Sequence, residues 1–135
     1  MTSSPAVQPV ACLICIGANQ HPEANLSMAV STLADVFPDI RWGETVITPA
    51  EGLPSGITAP DYYNRAATFS TTMDIAALKS LFKEIEKACG RTVSSKSTGL
   101  VPLDIDLLRY GSQILKPNDM KSTYVRQAIA SLFSC

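Results

Sequence analysis

The sequence lacks a surplus of either charge: 11 basic side chains stand against 12 acidic ones, leaving a formal charge of -1 over 135 residues. That balance excludes the strong one-sign field that draws a protein to nucleic acid or to an anionic membrane, so a small ligand is the better default partner. Long hydrophobic runs are missing too, and none approaches the roughly 20 residues that a bilayer-spanning helix needs. Residues 1–9 are polar, uncharged in their side chains and proline-bearing, unlike a secretory leader. These features point to a soluble, cytoplasmic protein with a disordered tail over 1–9 and a single domain over 10–135. The length suits one compact core and is short for two.

Histidine is nearly absent, with His21 alone, and there is no second C-x-x-C to accompany Cys12 and Cys15. A zinc site is therefore a poor reading of that pair. The two thiols lie inside the apolar run Val10-Ala-Cys-Leu-Ile-Cys-Ile16, where a period of two sends them to opposite faces of a strand. Buried structural thiols fit better, and Cys89 and Cys135 read the same way. No internal repeat or low-complexity segment appears.

What is present is a regular succession of elements. Val10 to Ile16 has the profile of a buried central strand, closed by Gly17-Ala18-Asn19. Pro22 and Glu23 suit the first turn of a helix whose apolar face is Leu26, Ala29, Val30, Leu33, Val36 and Phe37, ended by Pro38. Ile40 to Thr48 alternates imperfectly, which predicts a strand with a bulge. Pro49 to Pro60 is a loop of about a dozen residues, long enough for a binding role. Tyr62 to Thr71 is the next strand. Asp74 is an N-cap for a helix with Ile75, Leu78, Leu81, Phe82 and Ile85 inward, and Gly90 is its stop. A polar loop, Arg91 to Leu100, leads to a strand over Pro102–Tyr110, and Lys121 to Phe133 forms a last amphipathic helix. The order predicts an α+β, ferredoxin-like βαββαβ sandwich: an antiparallel sheet with helices packed on one face, plus a C-terminal helix.

The chemistry concentrates in Leu103-Asp104-Ile105-Asp106-Leu107-Leu108. Carboxylates separated by one residue of a strand point to the same face, while Leu103, Ile105 and Leu107 point to the core. Two like charges held side by side raise each other's proton affinity unless a cation neutralises them, and hard oxygen ligands suit Mg²⁺. The pattern alone is equally met on a solvated sheet face. Context favours the metal: Arg91 and Lys96 precede the strand and Tyr110-Gly111 follows it, so acids and bases gather at one end of the sheet. Phosphoryl-transfer sites are built in that way.

At this point Pro102-Leu-Asp-Ile-Asp-Leu-Leu-Arg-Tyr-Gly111 resembles the signature of the 6-hydroxymethyl-7,8-dihydropterin pyrophosphokinases of folate synthesis. Ile14-Cys-Ile-Gly-Ala-Asn19 resembles that family's opening strand and turn, Thr48-Pro49 its pterin loop, and Pro60-Asp-Tyr-Tyr-Asn64 its Tyr-x-Asn segment. Ile85-Glu86 and Gly90-Arg91 complete the set. The resemblance runs from about Val10 to Tyr110 and weakens past Gly111. There the family's Pro-His pair and further basic residues give way to a short stretch with Pro117-Asn118-Asp119.

The resemblance implies transfer of the terminal diphosphate of ATP to the hydroxymethyl group of a reduced pterin, giving AMP. It implies that Asp104 and Asp106 bind two Mg²⁺ ions and act with Arg91 in catalysis. It further implies that Tyr62 and Asn64 contact the pterin, with Thr48 and Pro49 shaping its pocket. Glu86, Arg91, Lys96, Ile105, Lys121 and Arg126 would serve the nucleotide. The implied partners are small molecules, with no nucleic acid and no membrane, and the chain is expected to be a monomer or weak dimer. One departure stands out. Where the family carries several arginines and a tryptophan, this chain has Val93-Ser-Ser-Lys-Ser-Thr-Gly-Leu-Val101, with Lys96 as its one cation, Thr98 in the tryptophan's place and Val101 in an arginine's. A second reading is therefore a weakly active or inactive pterin- or nucleotide-binding module of the same fold.

Overall fold

The structure is a computed structural model that describes residues 8–49, 60–90, 100–116 and 123–132. Most of the expected tail, the loop between Pro49 and Pro60, Arg91, Lys96, Thr98, Lys121 and Cys135 lie outside the described residues. The elements run β1 (Val10–Ala18), α1 (Pro22–Val36), β2 (Arg41–Trp42), β3 (Val46–Thr48), β4 (Tyr62–Thr71), α2 (Ile75–Ala88), β5 (Asp104–Tyr110), β6 (Gln113–Ile114) and α3 (Thr123–Ser131). Among the described residues six strands form one sheet in the order β2-β4-β1-β5-β6, with β3 also on β4, and every pairing is antiparallel. This is the expected ferredoxin-like α+β arrangement, with β1 and β4 at its centre.

The strand expected over Ile40–Thr48 is divided. Trp42 lies opposite Ala67 and Val46 opposite Asn64, so four steps along this edge match three along β4. That is the extra residue of a bulge. A second irregularity sits in β5, where Leu13 faces Arg109 but Ile14 faces Leu107, leaving Leu108 as the extra residue. Strict alternation would have sent Arg109 to the core side with Leu107. Instead Arg109 is exposed, and Tyr110 returns to the core side with its hydroxyl donating to the Met73 carbonyl at 2.9 Å. β5 also begins at Asp104 and not at Pro102. Pro102 has no N–H for a ladder, and both backbone groups of Val101 are bonded to Asn19.

One face of the sheet carries the main core. Cys12, Ile14, Ile16, Ala67, Phe69, Leu103, Ile105 and Leu107 pack against Leu26, Ala29, Leu33 and Phe37 from α1 and its end, and against Leu78, Phe82 and Ile85 from α2. Each fully buried aliphatic or aromatic side chain here is worth about 1.5–3 kcal/mol of transfer free energy. Phe37 stacks on Phe69 with centroids 4.0 Å apart. α2 starts as expected, since the Asp74 carboxylate accepts from the Ala77 N–H at 2.8 Å, and it stops where Gly90 takes φ +95°.

The opposite face has a smaller cluster of Leu13, Cys15, Ala66 and Leu108 beneath Ala128 of α3. α1 and α2 thus share one face, and the C-terminal helix covers part of the other. Cys12 and Cys15 fall on opposite faces, both buried and neither in a disulfide. Among the described residues no helix is long and apolar enough to cross a membrane.

Candidate active site

The face that α3 leaves partly open brings the sequence-predicted residues together, and strand register sets their places. One row across the sheet reads Val46, Asn64, Gly17, Asp104, and the next row on the same face reads Ala66, Cys15, Asp106. Asn64 and Asp104 are therefore two strand spacings apart, roughly 10 Å, with a glycine between them. Gly17 is needed for close approach. A Cβ there would clash with Cε1 of Tyr62, so the tyrosine ring lies on the glycine backbone between the amide and the carboxylates.

Asn64 is 1% exposed. Its amide nitrogen has three acceptors, the Val46 carbonyl at 3.4 Å, Thr48 Oγ1 at 3.3 Å and the Tyr62 carbonyl at 3.4 Å. All three exceed the usual 2.7–3.2 Å range and share two hydrogens, so the group is positioned without being tightly held. Three of the residues expected at a pterin, Thr48, Tyr62 and Asn64, thereby form one group. Pro49 follows Thr48 at the end of β3 and is exposed.

Asp104 and Asp106 share one face of β5 and are within hydrogen-bonding reach of each other. Burial and the neighbouring Asp104 charge push the Asp106 carboxyl up to about 7, against a smaller opposing pull from Lys116. Lys116 donates to Asp106 Oδ1 at 2.9 Å. No motif or period in the sequence singles out this lysine. The usable signal was the turn Tyr110-Gly111-Ser112-Gln113, which returns the chain along β5 after Gly111 takes φ +60°.

Glu86 and Ile105 stand at the edge of β5. The Ile105 side chain is in the core on the helix-covered face, away from the aspartates, and its N–H donates to Glu86 Oε2 at 2.8 Å. Glu86 is 8% exposed, so its carboxylate joins α2 to the strand between the two aspartates. Arg126 is exposed on α3. Asn19, buried at the end of β1, accepts from the Val101 N–H while the Asn19 and Gln20 N–H groups both donate to the Val101 carbonyl, at 3.0 and 3.2 Å. The turn after β1 and the approach to the aspartates are locked together.

The donor set fits a hard divalent cation. Two oxygen ligands face one way, and burial together with the neighbouring Asp104 charge makes one of them resist ionisation, a penalty that a divalent cation would offset. Among the described residues there is no cluster of three or more His, Cys, Asp or Glu side chains that would make a closed cage. Mg²⁺ commonly takes one or two carboxylates and fills its octahedron with water and phosphate oxygens.

The sequence profile of the 7,8-dihydro-6-hydroxymethylpterin-pyrophosphokinase family matches residues 13–134. The chain belongs to that family. The match includes the part past Gly111, where the motif resemblance is weak, and extends through α3. It makes the protein a member of a family of diphosphate-transferring kinases of folate biosynthesis that take small-molecule substrates. A comparison with curated proteins finds no match.

Proposed function

We propose that this pyrophosphokinase family member transfers the terminal diphosphate of ATP to the hydroxymethyl group of 6-hydroxymethyl-7,8-dihydropterin. The observation that carries this reading is the row Asn64, Gly17, Asp104, which sets an amide and a carboxylate pair on one face of the sheet, with the Tyr62 ring on Gly17 between them. Asn64, whose amide nitrogen is taken up by Val46, Thr48 and Tyr62, offers its side-chain oxygen to the amide-like edge of the heterocycle, and Tyr62 offers it an aromatic face. Thr48 holds the Asn64 amide in place.

With the pterin edge at Asn64, the hydroxymethyl group points toward Asp104 and Asp106. Its oxygen bonds to the β-phosphorus, the bond from that phosphorus to the oxygen bridging to the α-phosphate breaks, AMP departs with that oxygen, and the hydroxyl proton is released. Asp104 and Asp106 would hold two Mg²⁺ ions, which supply the positive charge that phosphoryl transfer needs. The residues of the chain hold and orient. Gly17 leaves room for the Tyr62 ring against the strand, Glu86 fixes the strand edge between the aspartates, and Asn19 fixes the approach at Val101.

The test is AMP release from ATP by the purified protein, which should require both Mg²⁺ and the hydroxymethyl-dihydropterin. AMP no higher than a boiled control at high protein concentration would reject the enzyme. The composition of the stretch from Val93 to Val101, with one cation, favours a second reading as a binding module. Tight pterin binding by calorimetry without turnover would select it.

A further inference from the structure

Lys116 places its ammonium 2.9 Å from Oδ1 of Asp106, and the backbone puts it there. Arg109 lies opposite Ile114 and Tyr110 opposite Gln113 in the β5–β6 hairpin, and the Leu115 N–H donates to the Leu108 carbonyl at 2.9 Å. The returning chain thus runs along β5 and brings Lys116 next to Asp106. This differs from a chance meeting of two long surface side chains, which contributes little and is easily exchanged. The Asp106 side chain is only 26% exposed, so its charge is felt more strongly than in open water.

We propose that Lys116 is a resident cation of the metal site, which weakens the binding of a bare divalent ion at Asp106 and strengthens the binding of the metal–nucleotide complex. The proposal rests on the reading of Asp104 and Asp106 given above. A bare Mg²⁺ on Asp106 meets an ammonium on the other side of one carboxylate, and like charges a few ångströms apart repel. When nucleotide phosphates arrive with the ion, their negative charge faces both cations, and the repulsion becomes a shared attraction. A lysine suits this task, being a compact point charge on a flexible stem that can follow the phosphates. The site thereby distinguishes a metal carrying a polyphosphate from a metal alone.

The experiment uses the full chain with Lys116→Met, Lys116→Arg and wild type. Mn²⁺, followed by electron paramagnetic resonance, is the metal probe, and the nucleotide is an ATP analogue with a methylene bridge between its α- and β-phosphates. Lys116→Met should bind bare Mn²⁺ more tightly and the Mn²⁺–analogue complex more weakly, each by about fivefold or more, the lower end of ordinary coupling between sites. Lys116→Arg should keep the wild-type pattern. Unchanged affinities, or two affinities that move in the same direction, overturn the proposal, the latter being the mark of a lysine that merely keeps Asp106 in shape. If wild type binds neither probe, the metal-site reading falls and this inference with it. If wild type binds both and Lys116→Met is indifferent, this inference alone falls.

Discussion

At Asp106 the fold works against ionisation. An ordinary aspartate titrates at about 3.9, whereas burial and Asp104 hold Asp106 at about 7. Between these values the folded protein keeps a proton that the unfolded chain has released. The stability this group contributes is therefore fully present below about pH 3.9 and is lost as pH rises through about 7. Divalent cation and proton compete for the same oxygens, so Mg²⁺ affinity should climb with pH up to about 7 and then level off. Asp104→Asn removes the repelling charge. In urea unfolding the metal-free variant should match or exceed wild type at pH 8, while its Mg²⁺–nucleotide binding by calorimetry falls at least tenfold. A variant that unfolds readily and still binds nucleotide as wild type would make the pair structural. The carboxylate pair itself was legible in sequence, because alternation along a strand is enough to align Asp104 with Asp106. Lys116 was not, because its approach to Asp106 depends on closure of the β5–β6 hairpin.

At the scale of elements, the joint between α2 and β5 decides how firmly the aspartates are presented. The apolar spacing of α2 predicts its buried face, and Leu78, Phe82 and Ile85 occupy it. Glu86 is one position off that stripe and reaches β5, where it accepts from the backbone between the aspartates. Glu86→Ala removes that acceptor. A buried N–H left without its partner costs about 1–3 kcal/mol, and the better helix propensity of alanine returns only a few tenths. Urea midpoints should show a loss of that size, with a smaller loss for Glu86→Gln, which keeps an acceptor oxygen. Equal midpoints for all three proteins would mean that water replaces the carboxylate without cost. The resemblance placed Glu86 near the nucleotide. The structure adds a tie to Ile105, which periodicity could not reveal because it crosses from a helix to a strand edge.

At the scale of the whole molecule, α3 distinguishes the two faces of the sheet. Its Ala128 is fully buried against Leu13, Cys15, Ala66 and Leu108, and Cys15 pairs in register with Asp106. The small side chain allows the helix to lie close to the strands without covering the aspartates. Ala128→Phe should push α3 away, at a cost of about 1–3 kcal/mol for overpacking. Peptide mapping after reaction with a thiol reagent should then show Cys15 labelled faster than in wild type, while Cys12, under α1 and α2, stays protected. Equal protection of Cys15 in both proteins would mean that the helix accommodates the ring without moving.

The sequence by itself determined the identity and order of the main elements, the inward faces of α1 and α2, the opposite facing of Cys12 and Cys15, and the common face of Asp104 and Asp106. All of these follow from periods of 3.6 and 2 and from local chemistry at Asp74, Gly90 and Pro38, so no distant contact is needed to read them. Tertiary structure decided the rest. The break between Trp42 and Val46, the extra residue at Leu108, the alignment of Asn64 with Asp104 across Gly17, and the approach of Lys116 to Asp106 all depend on register between strands far apart in the chain. Register is an agreement between two segments, set by which of their side chains must be buried together, and neither segment carries it alone.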